Sequence, residues 1–336
     1  MTTIQDVAGD LGLSAMTVSR ALNGHPDVKE ETRRRVIARA SELNYRPNRW
    51  ARSLVTQRSR IVGAVIPKIT YSFFGEIIGG LQTVLEEQGY SLILSNSSED
   101  PERERREIDM LVGSRAEGLV VASVFRHDDP SFFRGLQDEG IPMVFIDRTF
   151  QGFEASSATT DDYRVGCLAA EHLIGLGHKR MAHITGAPVS TGERRRQGFL
   201  DTLKAAGIEL PPRYIVEGGG FDVEAGIAGM NRLLKLNPRP TAVFGPSDPA
   251  SMGAVQAARQ AGLRVPEDMS VIGAGAIEHD YLPDPFMTTL RWDRRVMGEK
   301  AGHMLVRLMA GEDLSHEAVV MPPTLVVRRS TAPLKD

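Results

Sequence analysis

The 336-residue sequence contains a single cysteine, Cys167. No internal disulfide can form and no cysteine pair offers a thiolate metal site, so a reducing cytoplasm is the expected compartment. Cys167 lies in the apolar run VGCLAAEHL and reads as a small core residue. The opening MTTIQDVAGD has neither the basic start nor the apolar stretch of a secretory signal. No apolar run approaches the roughly 20 residues that cross a bilayer, so no membrane partner is expected. Walker, G-x-S-x-G and H-E-x-x-H sequences are missing, and the eight histidines do not cluster at metal-ligand spacing. The stretch VIGAGAIE offers Gly273 and Gly275 after a strand but lacks the third glycine of a dinucleotide loop. No metal, cofactor or catalytic residue is therefore expected.

Net charge is small, but charge is unevenly placed. The net formal charge is −3, yet residues 1–60 carry 11 Lys/Arg against 6 Asp/Glu, while the remainder carries 29 against 37. A basic head on an acidic body suggests that the head alone meets a polyanion.

In the head, Thr3 and Asp6 can cap a helix along which Ile4, Val7, Ala8 and Leu11 recur at helical spacing, and Gly12 breaks it. Ser14 is a good N-cap for a second helix. There Val18, Ala21 and Leu22 form the inward stripe, and Ala15, Met16, Thr17, Ser19 and Arg20 lie wholly or partly outward. A third helix is expected from Asp27, with Glu30 completing a capping box. Val36, Ile37, Ala40 and Leu43 would be buried, and Arg33, Arg34, Arg35 and Arg39 wet. This is a helix-turn-helix layout, whose second helix enters the major groove of DNA. From the pattern alone, an ordinary capped three-helix bundle fits equally well. The following YRPNRWARSLVTQRSR is arginine-rich and without an acid. Within it, ARSLV can make about one turn that exposes Leu54 as a minor-groove wedge.

From Ile61 onward, the runs IVGAVI, SLILSN, GLVVAS, PMVFID, RMAHIT, RYIVEG, TAVFGP and SVIGAG alternate with helical stretches, which predicts parallel sheets covered on both faces. Ligands of such α/β folds bind beyond the carboxyl ends of strands. The polar groups there are Asp147 and Arg148, Asp161 and Asp162, Ser247 and Asp248, and Glu278 to Asp280.

TIQDVAGDLGLSAMTVSRALNG, NYRPNRWARSL, IVGAVIP, EGLVV, IPMVFIDR, EHLIGLGHKRMAHITG, RRRQGF, AVFGPSDPASMGA, SVIG and MTTL, in that order, resemble the lactose-repressor/galactose-repressor (LacI/GalR) family of transcriptional regulators along essentially the whole chain. The resemblance implies an α/β protein with an N-terminal helix-turn-helix domain (1–47) and a hinge (48–60). The core (61–336) would hold two doubly wound subdomains like those of periplasmic sugar-binding proteins, one at about 61–160 and 291–320, the other at about 161–290 and 321–330. Ala15, Met16 and Arg20 would read bases, with Arg20 as the main discriminator. Thr17, Ser19, Asn23 and Arg33 would face phosphates. Arg52, Ser53 and Leu54 would form the minor-groove hinge. The effector would meet Phe73 and Phe74 as an apolar wall, and Asp147, Arg148, Asp161, Arg195, Ser247, Asp248 and Glu278 as polar contacts. For each carboxylate the rival reading is a solvated loop charge or a helix cap, and for Asp162 and Asp248 taken singly it fits equally well.

One departure stands out. Where the family places an aromatic and two acids after SVIG, this chain has Ala274, Gly275 and Ala276. Loss of that acid, with Arg148 and Arg195 retained, brings a sugar acid or sugar phosphate into range beside a neutral sugar, although Glu278 or Asp280 could replace it. The expectation is a regulator, in the first instance a repressor of carbohydrate genes, acting as a homodimer on palindromic double-stranded DNA under a small-molecule effector. An activator, a sugar-binding protein and a sugar-modifying enzyme are the alternatives.

Overall fold

The computed structural model describes residues 2–45, 58–276, 284–313 and 317–334. The chain divides into two units, Met1–Ser59 and Arg60–Asp336. Among its described residues, the first unit holds helices α1 (Ile4–Leu11), α2 (Ala15–Leu22) and α3 (Glu30–Glu42). Thr3 and Asp6 form a reciprocal capping box on α1, which ends at Gly12 in the left-handed conformation. The Ser14 Oγ accepts the Thr17 N–H at 3.0 Å and starts α2. Val7, Ala8, Val18, Ala21, Val28, Val36 and Ala40 close the small core.

The third helix departs from its expected start. Lys29 is the N-cap, without a side-chain bond, and Asp27 and Glu30 make no capping box. The reason is a turn that uses Asp27 first. Its carboxylate lies 3.3 Å from the His25 Nδ1, the Val28 N–H donates to the His25 carbonyl at 3.2 Å, and Val28 is thereby turned into the core. Ile37 is 51% exposed instead of buried, because Val36 and Ala40 define the inward stripe and the next position lies about 100° round the helix.

The second unit is built on two six-stranded sheets. In the first, the order is β11 (Ala318–Met321), β5 (Ser157–Thr160), β4 (Met143–Ile146), β3 (Gly118–Val121), β1 (Ile61–Ile66) and β2 (Ser91–Asn96), all parallel. In the second, the order is β12 (Thr324–Val326), β10 (Thr288–Arg291), β9 (Ser270–Ala274), β8 (Ala242–Phe244), β6 (Met181–Thr185) and β7 (Ile215–Glu217). There only β12 runs antiparallel to its neighbour. The eight apolar runs read from the sequence are β1 to β4 and β6 to β9. The short β5, β10, β11 and β12 were not among them.

Side chains alternate between the two faces, as the strand period of two requires. Val62, Ala64 and Ile66 pack towards α4 (Ser72–Glu87) and α11 (Arg294–Met309), and Val65 towards α5 (Pro101–Gly113) and α6 (Ser131–Asp138). In the second sheet Phe244 faces α7 (Asp162–Gly175) and α8 (Ser190–Ala205), while Val243 faces α9 (Val223–Leu233) and α10 (Asp248–Gln260). Three helix pairs meet backbone to backbone. A Cβ on Gly80 or Gly298 would strike the Arg295 or Ile77 carbonyl across α4 and α11. Gly166 and Gly198 stand likewise across α7 and α8, and Gly226 and Gly253 across α9 and α10. The chain passes from one sheet to the other at three short crossings: from β5 to α7, from β10 to α11, and from β11 to β12.

Candidate functional site

Two regions of the chain bring the expected functional residues together. On α2 the first is a surface. Val18 and Ala21 are buried, and Met16, Arg20 and Asn23 lie on the opposite side, as 3.6 residues per turn dictates. Met16 is 66% exposed, and Ala15 at the first turn is half-buried against the core. The Arg20 side chain is exposed, and among the described residues it makes neither a hydrogen bond nor an ion pair. Thr17 shares a hydroxyl hydrogen bond with Ser14 at 2.9 Å. Asn23 donates to the Ser19 carbonyl at 2.8 Å. Arg33 donates to the His25 carbonyl at 2.9 Å and pairs with Glu30 at 3.1 Å, so it braces the turn before α3. Arg52, Ser53 and Leu54 lie outside the described residues.

The second region is a pocket in the Arg60–Asp336 unit, at the carboxyl ends of strands from both sheets. Tyr71, Phe73, Phe74, Phe221 and Trp292 supply apolar wall, and Asp147, Arg148, Thr191, Arg195 and Ser247 supply polar groups. Ala274 and Gly275 complete the side where the acid is missing. Phe73 stands edge-on to Phe74 and Trp292, with ring centroids 5.1 and 5.9 Å away.

A sharp turn after β4 presents the first charged pair. Asp147 has φ +62°, a left-handed conformation that aspartate tolerates better than most residues. The Arg148 N–H reaches back to the Ile146 carbonyl at 2.6 Å. Both side chains are buried as a result. The Arg148 guanidinium donates to the Ser123 carbonyl and to both Glu99 oxygens at 3.2–3.3 Å, and it lies 5.3 Å from the Phe221 ring centroid. Its Nε is 3.6 Å from Asp147. Burial pushes the Asp147 carboxyl above the usual range, against the pull of Arg148 and Arg195.

Arg195, on α8, is the second guanidinium. It donates to Asp162 at 2.8 Å and to the Pro246 carbonyl at 2.6 Å, and stacks 5.3 Å from the Trp292 ring centroid. Burial raises the Asp162 carboxyl to about 7 in spite of this partner. Behind Arg148 stands Glu104, fully buried. It accepts the Ser123 hydroxyl at 2.6 Å and the Val124 N–H at 2.7 Å, and burial raises it to about 7.

Two expected contacts stand elsewhere. Asp161 is the N-cap of α7, accepting the Arg164 N–H at 3.0 Å, and does not line the pocket; its neighbour Asp162 is the acid that holds Arg195. Asp248 is wholly buried, accepts the Thr289 hydroxyl at 2.6 Å and is likewise not a lining residue. Ser247 does line the pocket, but its hydroxyl caps α10 through the Ala250 N–H and donates to the Phe221 carbonyl at 2.6 Å. Glu278 and Asp280 lie outside the described residues. Tyr71, Thr191, Phe221 and Trp292 were missed from the sequence. Phe221 and Trp292 each follow a strand, so extending the strand-end rule to aromatic residues finds both.

Comparison with known proteins bears on both regions. Residues 3–48 match the bacterial regulatory proteins of the lacI family, and residues 170–331 match the periplasmic binding protein-like domain. The HTH-type transcriptional repressor PurR of Mannheimia succiniciproducens is 33% identical over 332 residues, 98% of each chain. The HTH-type transcriptional regulator DegA of Bacillus subtilis is 32% identical over 335 residues, 99% of each. The lac repressor dimer bound to operator and the anti-inducer ONPF aligns with a TM-score of 0.86 at 26% identity, over 98% of this chain and 99% of that one. A complex of the transcriptional regulator CelR with cellobiose aligns with a TM-score of 0.73 at 29% identity, over 98% of this chain and 100% of that one. Among the described residues no helix is long and apolar enough to cross a membrane. The helix-turn-helix head, the paired parallel sheets and full-length similarity above 30% together place this chain in the LacI family of DNA-binding transcriptional regulators, which are not enzymes.

Proposed function

We propose that the protein is a cytoplasmic repressor that binds a palindromic operator as a homodimer and releases or grips it according to a small sugar-like effector. Symmetry asks for two heads on two half-sites. In this reading Arg20 contacts a guanine edge, with Ala15 and Met16 against thymine methyl groups. Thr17, Ser19 and Asn23 meet phosphates, Arg33 does so while bracing its turn, and Arg52, Ser53 and Leu54 open the minor groove. The domain limits are those of the sequence reading: head to 47, hinge 48–60, core from 61.

The observation that carries the effector proposal is the pair of Arg–aromatic stacks, Arg148 on Phe221 and Arg195 on Trp292, set around the Asp147 carboxylate in one pocket. Aromatic faces suit the C–H side of a sugar ring, and a carboxylate with guanidinium donors suits its hydroxyls. Arg148 already faces Glu99 and Asp147, and Arg195 faces Asp162. That balance favours a neutral sugar or a singly charged sugar acid over a phosphate dianion.

The test is selection of bound duplexes from a random pool, with and without a mixture of sugars, sugar acids and sugar phosphates. The expected result is an enriched palindrome whose retention changes with the mixture. A palindrome indifferent to every addition would remove the effector reading, and no enrichment at all would remove the operator reading.

A further inference from the structure

Trp292 lines the pocket yet is only 4% exposed, and its indole Nε1 is buried without a hydrogen-bond partner. An unmet buried donor is destabilising, so such groups are kept where something else meets them. Its ring is held by two neighbours. One ring face is covered by the Arg195 guanidinium, and the Phe73 ring lies nearly perpendicular to it with centroids 5.9 Å apart. Trp292 also sits in the crossing from β10 to α11, directly before Asp293, whose side chain caps α11.

We propose that the Trp292 indole N–H is a specificity-determining donor of the pocket, completed by an oxygen acceptor of the effector, a hydroxyl or ring oxygen of a sugar. This rests on the effector reading above and deepens it. A ligand oxygen held by Trp292 bonds directly to one of the three crossings between the sheets. Recognition and the angle between the two halves are thereby joined at one residue. The requirement also selects among ligands: a molecule of the same shape with a C–H at that point leaves the indole unmet and binds more weakly.

The chain has two tryptophans, so its ¹⁵N spectrum carries two indole resonances, and Trp292→Phe assigns them by deletion. Full-length protein is titrated with D-glucose, D-ribose, cellobiose and D-gluconate, and affinities are compared with those of Trp292→Phe, which keeps an aromatic ring and loses the N–H. Support is a shifted Trp292 indole resonance with affinity about tenfold weaker in the variant. Binding of any of the four with equal affinity to both proteins overturns the proposal and leaves the effector reading intact. If none of the four binds, the effector is none of them, the mixture test above decides the sugar reading, and a crystal structure of the unaltered protein decides the indole separately. A bound oxygen that is not the protein's own, in the pocket and within about 3.2 Å of Nε1, supports its role as a donor to the effector; a protein acceptor at that distance, or an N–H facing only carbon, overturns it. The crystal structure also decides the matter if Trp292→Phe does not fold.

Discussion

Glu104 shows how much a single buried carboxyl can govern. Among the described residues it forms no ion pair and accepts only from the Ser123 hydroxyl and the Val124 N–H, and burial raises it to about 7 from an ordinary 4.5 against the pull of these donors and of the Arg148 charge. Folding therefore favours its protonated form; that contribution is complete below about 4.5 and is lost as pH rises through about 7. Asp162 acts in the same sense. His183, lowered to about 4 by burial, acts in the opposite one, contributing above its ordinary 6.5 and losing that contribution as pH falls towards 4. Glu104→Gln should flatten the fall of Tm between about pH 5 and about pH 8 relative to the parent. An unchanged slope would show that Glu104 does not titrate in that window. On α2, Arg20→Ala should cost roughly 1–3 kcal/mol of specific binding and relax one base pair per half-site. Competition between operator and random duplex measures both, and an equal loss on the two would assign Arg20 to phosphate instead. At this scale the sequence is legible in type but not in direction. Asp161 and Asp162 are adjacent acids after the same strand, and about 100° of helix rotation decides that the first caps α7 while the second meets Arg195.

Among elements, the long apolar strands were readable because a buried parallel strand needs a continuous apolar run. β5 reads Ser-Ala-Thr-Thr, and β11 and β12 lie at sheet edges with exposed positions. None carries that signal, so these strands are not legible from apolar pattern, and the returning pieces at 291–320 and 321–330 are read only from the family resemblance. The start of α3 was misread for the complementary reason: Asp27 and Glu30 have the right spacing, but burial of Val28 outweighs a cap worth about 1 kcal/mol. The helix pairs give a test at this scale. A methyl group on Gly226 meets the Ala250 carbonyl, which is backbone and cannot swing aside. Gly226→Ala should therefore destabilise the core by about 1–3 kcal/mol. Urea unfolding followed by circular dichroism would measure this, and an unchanged midpoint would mean that α9 and α10 separate at little cost.

For the whole molecule, the basic head predicts that operator affinity falls steeply as salt rises, through release of counterions from the phosphates. A salt-independent affinity would deny the head that part. The homodimer reading adds a second expectation. Met252 is 37% exposed in an open groove with Val255, Gln256, Arg259 and Phe286, a place where a charge is tolerated by a monomer but not under a partner. Met252→Glu should shift sedimentation towards the monomer with Tm little changed. A variant that sediments as the parent does would move the interface to another face.

The three glycine pairs fix what kind of sensor this core can be. With helices pinned carbonyl to Cα, each lobe behaves as a plate that cannot bulge or shear to fit a guest, so a bound molecule can alter only the short ribbons of chain between the plates. In the proposed reading, Trp292 belongs both to the wall that meets the guest and to one of those ribbons, so detection and movement meet there, while the other lining residues stand on the plates. On that reading, exchanging lining residues other than Trp292 would retune what is detected, and exchanging Trp292 would alter the stroke as well.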